Sequence, residues 1–375
     1  MPRAAPAKPW GFIGLLVFVA ASIAFLFATA PNRAGTTVVR GGGLSLTASL
    51  PDTIPPGTTL VVGDPVTQWI IEHNGWDKQL PYAIKWVQIT GGPDVTEAFH
   101  ARALDVGLGA NVPPIHAAWV GIPVKIIAFR QRRDPLKFPT YVLGISPKSE
   151  IRTLADLRGK RIAFSPSQIQ GQIVLQTLAA AGLTKDDVTL VELPSSIGGD
   201  VYTSALASNL VDMAPIGNGI VAERYLQKFG RDGARLLRHQ AFRDDAIVAY
   251  VPVSTLENPA KAAALKQFAK LWGRAQAWAQ NHPDELAAGY YVKQQGLSPT
   301  DAQLIHAATG EIDVPLNWDG AVAYQRNAIE LMANETKKPK FDAATLFDRR
   351  FEALAAEGFA QSLSPAQSIA SNSVR

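Results

Sequence analysis

The chain contains no cysteine. That absence removes thiol nucleophiles, disulfides, thiolate-bound zinc, iron–sulfur clusters and a lipid anchor attached through cysteine, and it makes an oxidising compartment harmless. Charge is sparse as well, at 18% of 375 residues, with 36 Lys and Arg scattered among 32 Asp and Glu. No basic stripe forms, so no nucleic-acid partner is expected. The histidines, His73, His100, His116, His239, His282 and His306, fall at none of the spacings that set two imidazoles on one helical face. A GxSxG elbow and a GxxxxGKS/T phosphate loop are missing, and Gly107-Leu108-Gly109 lacks the third glycine of a dinucleotide turn. Asp186-Asp187 and Asp244-Asp245 are adjacent carboxylates at element ends, where helix N-terminal charge accounts for them. The expectation is a protein that is not an enzyme, with no catalytic residue, no metal and no cofactor.

Only one long apolar run occurs, and it lies near the N-terminus. Arg3 and Lys8 precede the 18 residues from Trp10 to Phe27, and Ala28-Thr29-Ala30 follow. A basic region, an apolar stretch and small residues at the end form an export leader. The run would make about 27 Å of helix, nearly a bilayer core, so residues 10–27 retained as a membrane anchor stay open as the other reading. Residues 1–30 are this leader or anchor. Residues 31–57, with Gly41-Gly42-Gly43, Pro51, Pro55 and Pro56, read as a linker, and the globular body starts near Thr58.

Hydrophobic residues make up 47% of the chain, enough for a folded body whose length suits two domains. From Thr59 to Arg238 short apolar runs alternate with amphipathic stretches, the pattern of an α/β protein with mainly parallel strands. Strands are expected at 59–62, 85–89, 106–108, 124–129, 140–145, 161–164, 188–192, 213–216 and 247–251. In the helix from Gly171 to Ala181, Ile173, Val174, Thr177 and Leu178 share one face, which should lie on a sheet, and Gly182 suits the left-handed residue that ends it. Thr153 with Asp156 and Thr184 with Asp187 have capping-box spacing. After Thr255 the chain turns helical, beginning at Asn258-Pro259, with further helices from Pro283, Pro299, Asp319 and Ala343. Trp272, Trp278, Tyr290, Tyr291 and Trp318 are assigned to packing.

One internal repeat stands out. Gly91-Gly92, Asp105 and Asn111 recur as Gly198-Gly199, Asp212 and Asn218, each 107 residues on, with a helical stretch between glycines and acid in both copies. Two similar α/β lobes facing each other across a cleft follow from it. Glycines at a strand-to-helix turn expose backbone N–H groups suited to an anion. Asn111 and Asn218 would stand at the C-terminal ends of equivalent strands, either touching ligand there or capping the next helix.

The stretches GGPDVTEAFHARALDVGLGANVPPIHAAWVGIPVKIIAF, LADLRGKRIAFSPSQIQGQIVLQTLAAAGLTKDDVTLVEL, TSALASNLVDMAPIGN and LFDRRF resemble the periplasmic solute-binding proteins of ABC importers of the nitrate, sulfonate and taurine type. The likeness spans roughly Thr58 to Phe351, and no part of it is specific to one ligand. It implies the type II periplasmic binding protein fold: lobe one from 58–146 and 246–355, lobe two from 147–245, a flexible tail at 356–375, and hinge crossings at Tyr141 to Ser146 and His239 to Tyr250. It implies a monomer in the periplasm that hands a small polar, anionic organic solute to an ABC permease in the inner membrane. A membrane-tethered ligand sensor or adaptor using the same cleft is the alternative. Ligand-binding residues are expected at Asp64, Gln68, Gly91, Gly92, Asn111, Arg130, Tyr141, Ser165, Gln168, Gln170, Gly171 and Asn218. Asp64 and Arg130 facing one cleft would suit a zwitterion. Asp64 serving only as a helix cap would leave a simple anion held by backbone N–H groups at Gly91, Gly92 and residues 170–172.

Overall fold

A computed structural model of the chain describes residues 43–89, 91–194, 200–239 and 242–362. The N-terminal apolar run, the Gly198-Gly199 doublet and the tail beyond residue 362 lie outside these. Among the described residues no helix is long and apolar enough to cross a membrane.

The first part of the chain alternates strand and helix: β1 (Thr59–Gly63), α1 (Pro65–His73), β2 (Ala83–Trp86), α2 (Gly92–His100), β3 (Val106–Ala110), α3 (Val112–Trp119) and β4 (Val124–Arg132). A second sheet is built from β5 (Tyr141–Ile145), β6 (Arg161–Phe164), α4 (Ile169–Ala180), β7 (Thr189–Glu192), α5 (Asp200–Ala207), β8 (Met213–Gly217), α6 (Ile220–Phe229) and β9 (Arg235–Leu237). The chain then returns through β10 (Ile247–Pro252), α7 (Val253–Leu256), α8 (Pro259–Asn281), α9 (Pro283–Leu286), α10 (Pro299–Thr309), β11 (Ile312–Asp313), α11 (Asp319–Thr336) and α12 (Leu354–Ala360).

The sheets have the orders β11-β4-β10-β3-β1-β2 and β7-β6-β8-β5-β9. β1 pairs in parallel with β2 and β3, and β6 with β7 and β8. The expected mainly parallel sheet is corrected to a mixed one. Returning from the second lobe, β10 inserts antiparallel between β3 and β4, while β5 enters that lobe antiparallel to β8 and β9. A strand that arrives from the other lobe does not come through a βαβ crossover, which is what enforces parallel pairing. Because β5 belongs to the second sheet, the first crossing lies between Arg132 and Tyr141, ahead of the expected Tyr141 to Ser146.

Each lobe has its own core. Leu60, Val62, Phe99, Ile126, Tyr250, Phe268, Trp272 and Phe351 pack together in the first, and Leu143, Ile162, Phe164, Ile173 and Met213 in the second. α8 starts as expected, Asn258 Oδ1 accepting from Lys261 N at 3.1 Å with Pro259 next. Both capping boxes form, on single 3-10 turns. The expected one-sided helix is buried on nearly all faces, because α4 is covered by α11 as well as by its sheet. Part of the presumed linker is also packed: Leu46, Leu50 and Ile54 lie on the first core, and Leu44 N bonds to Glu257 O at 2.7 Å. The start of the presumed tail, from residue 356, completes α12, with Ala356 and Phe359 buried.

The repeat is visible in hydrogen bonds. Asp105 accepts from Val61 N at 2.9 Å while its own N–H donates to Val61 O. Asp212 does the same with Arg161, at 2.8 Å. In each lobe the acid ties the start of one parallel strand to its neighbour, a role that requires a carboxylate at the same register.

Candidate functional site

Open α/β sheets bind ligands outside the carboxyl ends of their strands. Beyond β1 and beside β3 and β4 lies a cavity of about 790 Å³, walled by the strand ends, α8, α9 and α10 and by the crossing segment around Phe138. Of the twelve expected site residues it holds Asp64 and Arg130.

Asp64 is 5% exposed and is the N-cap of α1, Oδ1 accepting from Thr67 N at 3.1 Å. Its Oδ2 is buried without a partner. Burial pushes the carboxyl upward, against the hydrogen bonds from Thr67, the charge of Arg130 and the indole N–H of Trp272. Arg130 is half-buried near the end of β4, and its guanidinium makes no hydrogen bond or ion pair among the described residues. Desolvation, reinforced by Arg132, pulls its pKa down to about 10, with Asp64 acting in the opposite direction. The other arginine and the lysine of the wall are engaged: Arg133 lies 3.7 Å from Glu311, and Lys137 sits 5.0 Å from the centre of the Phe138 ring.

A third group belongs with this pair. Tyr291 lines the cavity on a π-helical stretch, Ala287–Gln294. Its phenol is pushed up to about 12 by burial and by Tyr290, and it feels both Arg130 and Asp64. In the sequence Tyr291 reads as a packing residue. Helical periodicity gave no sign of it, since a π-helix rotates side chains away from the 3.6-residue register.

A second cluster forms the seam between the lobes. A Cβ on Gly92 would meet Pro113 Cγ at 2.7 Å and Ser167 O at 3.5 Å. Gly91 precedes it as the N-cap of α2 with φ of 98°, a backbone that glycine adopts without strain. Across the seam Ser165, Gln170 and Gly171 are buried beside Gln168 at the start of α4, with Gln170 Oε1 unpartnered. Asn111 is fully buried, and its side chain does not cap α3; Nδ2 donates to Gln172 Oε1 at 2.8 Å across the seam. α11 straps the arrangement, Gln325 Nε2 donating to Asn111 O at 2.7 Å and Gln172 Nε2 lying 3.2 Å from Tyr324 Oη. The sequence marks Gln172 only for its backbone N–H, not for its side chain, and nothing in the pattern marks Tyr324 or Gln325.

The remaining three expected residues stand apart. Gln68 bonds Glu72 and Gln88 at the surface. Asn218 Nδ2 donates to Pro139 O at 3.0 Å and Oδ1 accepts from Gly219 N, so the two asparagines of the repeat have diverged. Tyr141 donates its backbone N–H to Asp244 Oδ2 at 2.7 Å, and burial pushes its phenol up. Asp244 and Asp245 cap no helix. Both are 2% exposed: Asp244 also takes Thr140 N and His239 Nε2, and Asp245 takes Arg132 N and Arg243 Nε. The two carboxylates lash the crossings together. Among the described residues no three His, Asp or Glu side chains gather as a metal site.

Residues 73–287, more than half of the chain, match the NMT1/THI5 like family. A putative aliphatic sulfonates-binding protein of Escherichia coli is 30% identical over 117 residues, 31% of this chain and 35% of that protein. One of Bacillus subtilis with the same description is 26% identical over 269 residues, 72% of this chain and 77% of that protein. Among solved structures, the alkanesulfonate-binding protein SsuA of Xanthomonas axonopodis pv. citri, bound to MOPS, superposes with a TM-score of 0.63 at 20% identity, covering 82% of this chain and 98% of that one.

Proposed function

The chain belongs to the NMT1/THI5-like family, and we propose that it is the extracytoplasmic solute-binding component of an ABC importer, capturing a small polar organic anion. The single observation that carries the ligand's sign is Arg130: a guanidinium facing a cavity, stripped of much of its water and without a protein partner. Such a group is stabilised by an incoming sulfonate or carboxylate that bonds to its fork. The cavity suits an organic solute, since its volume falls in the usual range for small-molecule sites and Leu108, Leu286 and Ile305 contribute apolar wall. The two crossings between the lobes provide the hinge on which such proteins close. The sulfonate-binding relatives and the shared fold support the class of solute, a periplasmic location and a permease partner. The protein works as a monomer and without catalysis.

A thermal-shift screen of sulfonates, nitrate, carboxylates and pyrimidines tests this. A ligand present at a hundred times its Kd adds about 2.7 kcal/mol to stability and raises Tm. Sulfonates or carboxylates are expected to do so, and Arg130→Gln should abolish the effect. A protein stabilised only by pyrimidines, or equally well after Arg130→Gln, contradicts the proposal.

A further inference from the structure

Every residue of the cavity wall belongs to the first lobe, and none comes from 147–245. A solute held there has no direct hold on the second lobe. The link runs through α10. Its Ala302, Ile305, His306 and Thr309 line the cavity, and at that spacing they share one helical face. Asp301, Leu304 and Ala308 form the neighbouring face, which lies against the second lobe. Arg224 on α6 donates from Nη2 to Asp301 Oδ2 at 2.9 Å. A Cβ on Gly219, the N-cap of α6, would lie 3.2 Å from Ala308 Cβ and 3.4 Å from Leu304 O. The same corner of the second lobe reaches the crossing, where Asn218 Nδ2 donates to Pro139 O. The C-terminal end of α10 rests on the adjacent Phe138, since a Cβ on Gly310 would meet its Cδ2 at 2.5 Å.

We infer that α10 is a movable wall that ties the solute cavity to lobe closure, with Arg224 of the second lobe as the residue that positions it. This rests on the solute-binding function proposed above and says how a solute lodged in one lobe favours closure of both. α10 is built to move: Ala302 alone among its residues is buried, and it hangs between Gly296 and Gly310, with φ of 70° and 64°. A helix with so little burial opens at low cost. Its two ends lead to both sides of the cavity. The N-terminal end follows the π-helical stretch of Tyr291, Leu297 N donating to Tyr291 O at 3.0 Å. The C-terminal end runs into β11, which pairs with β4 at Gln131 and Arg132 beside Arg130. When the lobes meet, Arg224 and the Gly219 corner hold α10 against the cavity; when they part, the wall is released. A solute that bonds to Arg130 with α10 in place therefore favours closed lobes, and closed lobes bind it more tightly by the same factor.

Cysteine labelling of the full chain tests this without any solute, and the natural absence of cysteine keeps the signal clean. Ala302→Cys places a thiol at a buried position of the wall, and its alkylation by iodoacetamide reports how often α10 opens. Adding Arg224→Ala leaves the bond between Ser298 and Asp301 at the start of α10 in place. It should speed labelling by about two- to fivefold, the range for an exposed ion pair, and Arg224→Lys should restore most of the original rate. Adding Asn111→Ala instead, whose lost bond is to Gln172 at the seam, should speed labelling by about fivefold or more, because parting the lobes releases α10 as well. Labelling of Ala264→Cys, in the core of the first lobe, should stay unchanged in both backgrounds. If Ala302→Cys does not fold, hydrogen exchange over residues 299–309 in the chain without added cysteine makes the same comparison. An unchanged rate in either Arg224→Ala or Asn111→Ala, or an equal rise at Ala264→Cys, overturns the inference. Because no solute takes part, these outcomes are separate from a failed thermal-shift screen, which counts against solute binding itself.

Discussion

Removing the Asn111 side chain should loosen the closed arrangement of the lobes without unfolding either of them. Asn111 Nδ2 and Gln172 Oε1 meet at 2.8 Å across the seam, with both side chains fully buried. When the lobes part, both amides regain water. When they meet in Asn111→Ala, Gln172 Oε1 loses its Asn111 donor in a dry setting. Leaving such a group unpaired costs about 1–3 kcal/mol. The penalty falls on the closed state alone, so the apparent Kd for any solute that requires closure should rise by about 5- to 150-fold, at roughly 1.4 kcal/mol per factor of ten. Titration calorimetry measures the change, and small-angle scattering should show a larger radius of gyration for the variant at equal ligand. Gln172→Ala should cause a similar loss. Because both variants break one bond, the double variant should fall short of the sum of the two by about 0.5–3 kcal/mol. Full additivity, or a loss of melting temperature with affinity unchanged, would refute the assignment of Asn111 to lobe closure.

Gly171→Ala should be costly, because a Cβ there would lie 2.2 Å from Ser165 O and the backbone at the start of α4 would have to move. Overpacking of this sort costs about 1–3 kcal/mol, visible as a lower urea midpoint; an unchanged midpoint contradicts the packing described. Asp212 provides a test in pH. Burial acts to raise its pKa, but hydrogen bonds from Arg161 and the charge of Arg161 hold the carboxyl below its ordinary value of 3.8. A depressed carboxyl contributes stability that is fully present above the unfolded value and is lost as pH falls through the folded one. The stability gap between the wild type and Asp212→Asn should therefore be constant near neutrality and shrink below pH 3.8; a gap independent of pH in that range counts against the carboxylate bonds.

Much of the fold is legible in the sequence because long-range order and local pattern agree there. Apolar runs such as Val124 to Phe129 are too β-branched and too short for helices, and the spacing from Gly92 to Asp105 to Asn111 exposes the duplicated lobe. Two strands escape. β9 and β11 have three and two residues, below the length at which alternation can register, and each pairs only at the edge of a sheet. Strand direction also escapes, since nothing local to Tyr141–Ile145 or Ile247–Pro252 says that the chain has changed lobes. The site is half legible. Asp64 follows β1 and Arg130 ends an apolar run, so their places at the strand ends can be deduced from the chain, but the cavity they line has no residue of 147–245 in its wall and is not the expected cleft between the lobes. Tyr291, Gln172 and Tyr324 act through tertiary placement: a π-helical turn delivers the first, and α11 brings the third onto α4 across 152 residues of chain.

The central claim is that solute lies in the cavity of Asp64 and Arg130, and a crystal structure with the most stabilising sulfonate from the thermal-shift screen tests it most directly. The acid group is expected within hydrogen-bond reach of the Arg130 guanidinium, with the carbon body against Leu108 and Ile305, which line the same cavity. Density for the ligand at the seam between Gly92 and Ser167 instead, with the Arg130 side chain untouched, would contradict it.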